Sequence, residues 1–112
     1  MVTFTFDEIP FIAHTSGDGG FEATVVFDNN NFQCKVVCGP TSFRSVEPEL
    51  YTTPAEYQQF DYWLAKPIDY LPPTPENWIG PVTREQLVAA LTEFANLPWV
   101  EGWQPGGTGL PE

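Results

Sequence analysis

The chain has 112 residues, of which 15 are acidic and 4 are basic, so its formal net charge at pH 7 is −11. This length suits one domain, and a hydrophobic content of 42% supplies one packed core, which excludes a wholly disordered chain. Four cations can neutralise few phosphates, and so large a negative charge repels nucleic acids and anionic membranes. We therefore expect no direct binding to DNA, RNA or a membrane.

The amino-terminal sequence MVTFTFDEIP has neither the basic start nor the apolar run of a signal peptide. No stretch of the chain reaches the roughly 18 apolar residues that a membrane-spanning helix needs. These features predict a cytoplasmic protein.

The first forty residues have the patterns of β-strands. Val2, Phe4 and Phe6 alternate with threonines, which is typical of a half-buried strand. A second short strand is predicted over residues 11–13, and the glycine-rich run 16–20 is predicted to form a flexible loop.

The clearest element is a β-hairpin with strands 21–28 and 32–38. Apolar and polar residues alternate in both strands, and asparagine tolerates the positive φ of a tight turn at Asn29 and Asn30. This register pairs Phe21 with Cys38. It also places the following side chains on one face: Phe21, Ala23, Val25, Phe27, Phe32, Cys34, Val36 and Cys38.

Both cysteines of the chain lie in the second strand of this hairpin. Four residues along a strand correspond to about 13 Å, which is too far for a disulfide between Cys34 and Cys38. Two thiols without further cysteines or a nearby histidine do not form a zinc site either. We predict that both are buried free thiols.

Two helices are predicted in the second half of the chain, over about 54–65 and 84–96. Each begins with a capping box, at Thr53 and at Thr83, and each carries apolar residues at helical spacing. The proline-rich segment 67–81 between them is predicted to be extended, with one helical turn after Thr74-Pro75.

The fold class that follows is α+β, with a small antiparallel sheet of 3–5 strands packed by the two helices. An irregular stretch from 41 to 52 contributes one short strand near 42–46. We predict a single acidic domain over residues 1–112, with a mobile tail from about residue 104.

Residues suited to catalysis or metal binding do not form a recognisable motif. His14 has Ser16 and Asp18 beside it, but neighbours in a glycine-rich loop rarely converge as a nucleophile, base and acid must. The run 28–31 lacks the spaced acids and closing glutamate of an EF-hand loop. The sequence therefore predicts no enzyme, no cofactor and no metal.

The remaining functional feature of the sequence is a set of residues suited to binding another protein. Scattered acids could form a negative stripe, and tyrosine and tryptophan residues are favoured as interface anchors. The predicted partner-binding residues are Asp7, Glu8, Glu22, Asp28, Glu47, Glu49, Glu56, Asp61, Tyr70, Trp78 and Trp103.

The leading hypothesis is an acidic protein that inhibits a basic nucleic-acid-handling protein, as anti-CRISPR, anti-restriction and nuclease-toxin immunity proteins do. In its strong form the carboxylates imitate the phosphates of DNA. Two alternatives stay open: a phage structural or tail-assembly component, and a carbohydrate-binding domain that uses exposed aromatic residues. The oligomeric state does not follow from the sequence.

Overall fold

The computed structural model describes residues 3–27, 30, 32–40, 42, 44, 50–65 and 74–98. Within these residues five strands form one antiparallel sheet, in the spatial order β1-β2-β3-β4-β5. The strands are β1 (Ile12–Ala13), β2 (Phe21–Val26), β3 (Gln33–Cys38), β4 (Phe60–Ala65) and β5 (Ile79–Val82). One helix, α1 (Arg84–Ala95), follows the sheet. The architecture is α+β, as predicted, but the described residues contain one α-helix rather than two.

The predicted hairpin and its register are confirmed. Phe21 lies opposite Cys38, Ala23 opposite Val36, and Val25 opposite Cys34. Beyond the strands, Phe27 N–H donates to the Phe32 carbonyl at 3.0 Å, as this register requires. Because side chains alternate between the faces of a strand, the apolar set lies on the core face. Residues 28, 29 and 31 lie outside the described residues.

The predicted helix over 54–65 is wrong. Its capping box exists, but Pro54–Glu56 form only a 3₁₀ turn, and the chain then extends into β4. There Leu64 lies opposite Cys34 and Tyr62 opposite Val36. The open edge of β3 gains a full ladder of hydrogen bonds from this pairing, and aromatic residues favour strands.

The strand predicted around Val2, Phe4 and Phe6 is also wrong within the described residues. Thr5 N–H donates to Glu8 Oε1 at 3.0 Å, and this cap starts a 3₁₀ turn over Phe6–Glu8. The two phenylalanines still pack inward. Their rings lie 5.8 Å from Phe27 and 5.6 Å from Phe60, respectively.

Of the other predicted elements, two are confirmed and the rest lie mostly in segments that the structure does not describe. β1 lies within the short strand predicted at 11–13, and the turn after Thr74 is present as Pro75–Asn77. The edge strand β5 was not predicted. Residues 66–73, most of the predicted strand 42–46, and the tail from 104 lie outside the described residues.

Helix α1 covers the core face of the sheet, as its sequence pattern predicts. Thr83 Oγ1 accepts the Gln86 N–H at 3.2 Å and so caps the helix. Leu87, Leu91 and Ala95 are buried in the main core. On the opposite, outer face a smaller cluster lies over β4 and comprises Trp63, Ala65 and Trp78.

The two cysteines are free thiols buried in the core, as predicted. Both side chains belong to the main core cluster. Burial raises the pKa of the Cys34 thiol far above its usual range, because a thiolate would lose its hydration there.

A buried amide joins the hairpin to the end of α1. The Asn30 side chain is fully buried, and its Nδ2 donates to the Phe94 carbonyl at 2.9 Å and to the Leu97 carbonyl at 2.7 Å. Its Oδ1 accepts the Phe32 N–H at 2.9 Å. Phe94 lies in the last turn of α1, where its carbonyl also accepts the Leu97 N–H, and Leu97 lies just beyond the end of the helix. Asn30 thus ties this end of α1 to a distant part of the chain.

Asn30→Asp is expected to lower the free energy of unfolding by about 2–4 kcal/mol, because a carboxylate cannot donate to the two carbonyls and is buried beside them. The matched control is Asn96→Asp, the same change at an exposed residue whose Nδ2 donates to Thr92 O. We expect a loss below about 1 kcal/mol there. Urea denaturation of both variants measures the difference, and equal losses would contradict the role of Asn30.

Candidate functional site

Three segments pack together on the core face of the sheet: residues 4–11, residues 50–57 and α1. We call them the helix-side layer. Ile9, Tyr57 and Leu87, one from each segment, lie in the same buried cluster. Phe4 N–H also donates to Thr92 Oγ1 of α1 at 3.0 Å.

The helix-side layer carries an excess of exposed acids. All five of its carboxylates lie on exposed residues: Asp7, Glu8, Glu56, Glu85 and Glu93. Its one cation is Arg84, so the layer has a formal charge of −4.

Arg84 is held by contacts within the layer. Its Nη2 donates to the Ala55 carbonyl and lies 3.5 Å from the Tyr57 carbonyl. The guanidinium carbon also lies 4.9 Å from the centre of the Phe6 ring, as in a cation–π contact. The turns that carry Asp7, Glu8 and Glu56 therefore converge on Arg84, and Glu85 follows it directly.

Two of these acids also stabilise the turns that carry them. Glu8 Oε1 accepts the Thr5 hydroxyl at 2.9 Å, and Glu56 Oε1 accepts the hydroxyls of Thr52 and Thr53 at 2.9 and 3.0 Å. These hydroxyl donors, Thr52 first, hold the pKa of Glu56 below its usual range. Glu56 therefore stays ionised in neutral and mildly acidic solution.

Glu85 and Glu93, which lie on the exposed side of α1, were not among the predicted contact residues. They are eight positions apart, which is about 12 Å along a helix. Glu93 lies in the last turn, where the helix dipole disfavours an anion and where no basic side chain balances it. Their exposure could have been predicted, because the apolar stripe of the predicted helix leaves positions 85 and 93 facing outward.

The described cations do not neutralise these acids. Arg44 reaches the outer face, where its Nη2 donates to the carbonyls of Pro75 and Glu76 at 3.1 and 3.2 Å. Lys35 is exposed on the outer face between Thr24 and Trp63. In the part of the chain that the structure describes, no carboxylate lies within 4.0 Å of a lysine or arginine nitrogen.

Two of the predicted partner-binding residues, Asp61 and Trp78, are buried. Asp61 is fully buried, and its Oδ2 accepts the Ser42 hydroxyl at 2.5 Å and the Arg44 N–H at 2.7 Å. Trp78 is 7% exposed and packs in the cluster on the outer face. Both were predicted as partner-binding residues, and sequence alone does not show which acids and aromatic residues a neighbouring segment covers.

Other predicted contact residues are placed differently or are not described. Asp7, Glu8 and Glu56 come together in the helix-side layer, whereas Glu22 lies apart from them on β2. The remaining predicted residues lie outside the described part of the chain and stay predictions: Asp28, Glu47, Glu49, Tyr70 and Trp103.

Glu22 is held in a polar cluster with the loop after β1. Its Oε2 accepts the Thr15 N–H at 2.7 Å and the Thr15 hydroxyl at 2.9 Å. The bond from the Thr15 N–H is the main reason that the pKa of Glu22 lies below its usual range, with smaller contributions from the Thr15 hydroxyl, His14 and Lys35.

The histidine of this cluster is not arranged for nucleophilic catalysis. Ser16 Oγ lies 2.9 Å from His14 Nδ1, and Glu22 Oε2 lies 3.8 Å from the same nitrogen. In a catalytic triad the nucleophile and the acid contact opposite ring nitrogens. Within the described residues there is also no group of three or more potential metal ligands.

None of the helices in the described residues is long and apolar enough to cross a lipid bilayer. Comparisons with protein-family models, with curated protein sequences and with solved structures found no match to the chain.

Glu22→Gln is expected to reduce stability in a pH-dependent way. A carboxylate whose pKa is lowered by folding stabilises the protein above its unfolded-state pKa, near 4.5, and loses this contribution as pH falls through the lower folded value. The difference in unfolding free energy between wild type and variant should therefore be largest above pH 5 and should shrink towards pH 3. Urea denaturation between pH 3 and 7 measures it, and a constant difference would contradict the assignment.

Proposed function

We propose that the protein is a non-enzymatic acidic binding protein that inhibits a basic nucleic-acid-handling protein, of the anti-CRISPR, anti-restriction or nuclease-toxin immunity type. The observation that carries the proposal is the charge of the helix-side layer, which has five exposed carboxylates and one guanidinium that is itself held by neighbouring carbonyls and a ring. A surface of this kind attracts a basic partner and repels nucleic acid.

The arrangement of α1 supports the same proposal. Glu93 is unfavourable for the helix that carries it, at a cost of about 0.3–1 kcal/mol, and a cation from a partner would remove that cost. Leu50, in the same layer, is 66% exposed and offers an apolar contact. Charge then accelerates the encounter, while apolar contacts slow dissociation.

Inhibition follows from competition for one surface. A nuclease or a CRISPR effector holds nucleic acid with lysine and arginine side chains that contact phosphates. The carboxylates of the helix-side layer would occupy those cations and exclude the substrate. Because surface charges are screened by salt, binding should weaken as ionic strength rises.

The double variant Glu85→Gln/Glu93→Gln tests the position of the charges. Its control is Asp18→Asn/Glu76→Gln, which also changes the net charge from −11 to −9 but alters exposed acids outside the layer. At about 0.2–1 kcal/mol per surface charge, the first variant should bind about 2- to 30-fold more weakly to an inhibited enzyme, with little change for the control.

The measurement uses DNA cleavage by a panel of restriction endonucleases, CRISPR effector complexes and nuclease toxins, with the protein added at increasing concentration. The proposal is supported if one enzyme is inhibited, if high salt in the binding step weakens the inhibition, and if Glu85→Gln/Glu93→Gln inhibits more weakly than the wild type. If no member is inhibited, or if the two double variants lose equal potency, the proposal fails.

A further inference from the structure

The loop after β1 contains a hydrogen-bond network centred on one ring nitrogen. Nδ1 of His14 accepts the Ser16 N–H at 3.1 Å and lies 2.9 Å from Ser16 Oγ. Ser16 Oγ in turn accepts the Asp18 N–H at 3.2 Å. An Nδ1 that accepts from a backbone N–H must be unprotonated, so this network belongs to the neutral ring with its proton on Nε2.

A carboxylate lies close to the same nitrogen. Glu22 Oε2 is 3.8 Å from His14 Nδ1, and this oxygen already accepts both the N–H and the hydroxyl of Thr15. Adding a proton to Nδ1 turns an acceptor into a donor. The Ser16 N–H then faces an N–H group, while the nearest strong acceptor for the ring is the oxygen that Thr15 occupies.

We propose that loop 14–20 is a proton-operated switch, in which protonation of His14 breaks its bond with the Ser16 N–H and moves the imidazolium onto Glu22 in competition with Thr15. In the neutral state two links to side chains, from Ser16 to the ring and from Thr15 to Glu22, add to the backbone hydrogen bonds of the loop. In the protonated state the first link is lost and the second is shared. An unperturbed histidine side chain changes charge between about pH 5 and 8, so this is the range over which the switch is tested.

The charged groups around the ring favour this exchange. Among the described residues these groups are Glu22 on β2, Asp18 in the loop, and Lys35 on β3, which interacts with Glu22. Glu22, whose Oε2 lies 3.8 Å from Nδ1, attracts an imidazolium, and Lys35 opposes it from the next strand. Gly17, Gly19 and Gly20 all have positive φ angles, so the loop backbone depends on residues without side chains.

Nuclear magnetic resonance of the full chain tests the switch, and the sole histidine makes the ring signals unambiguous. At pH 8 the ¹⁵N shifts should identify Nδ1 as unprotonated and Nε2 as protonated. On lowering the pH to 5, the amide protons of Ser16 and Thr15 should move towards the positions of amides with weaker hydrogen bonds. The pH midpoints of both amide shifts should equal the pH midpoint of the ring ¹⁵N shifts.

Two variants with the same charge change separate the switch from a general charge effect. Glu22→Gln should move the ring midpoint to lower pH and abolish the response of the Thr15 amide, whereas Asp18→Asn should keep both amide responses. His14→Gln should abolish both.

A protonated Nδ1 at pH 8 would overturn the proposal. It would also be overturned if the amides did not follow the ring, or if Glu22→Gln and Asp18→Asn gave the same titrations. Since no partner protein is needed, this outcome is independent of the proposed inhibitory function.

Discussion

The Asn30 amide is the contact on which the arrangement of the layers depends. It lies in the turn of the central hairpin, yet it donates to carbonyls at the far end of α1, 64 and 67 residues along the chain. At the other end of the helix, Arg84 is joined to the turn at 54–56 and to the Phe6 ring. Both ends of α1 are thus fixed to different parts of the fold, and this sets the direction in which Glu85 and Glu93 face.

The parts of the fold that sequence predicts well are those in which local pattern and tertiary packing agree. In the β2–β3 hairpin, alternation and turn residues allow only one register that buries the apolar set. In α1, the cap at Thr83 and the apolar stripe indicate the same element. β4 is different, because Tyr57, Phe60 and Leu64 fit a helical period while Phe60, Tyr62 and Leu64 fit a strand. The free edge of β3 decides between them, and a partner strand is not a local property of the sequence.

The candidate site was predictable only in part, for a related reason. An acidic residue in a turn, such as Asp7 or Glu56, is exposed in most folds, and both are exposed in this one. Asp61 is an acid on a strand, and its burial depends on Ser42 and Arg44 crossing over it from a distant segment. The convergence of the two turns on Arg84 of α1 likewise depends on long-range packing, so acids from those turns could be named from the sequence but not grouped.

The buried thiols have a practical consequence for anyone who works with this molecule. Alkylating and labelling reagents react with thiolates, and Cys34 resists ionisation while both sulfurs are enclosed in the core. The two natural thiols of the folded chain should therefore react very slowly with maleimides. A fluorophore or spin label can be attached through a single cysteine introduced at the surface, with the two natural residues left in place.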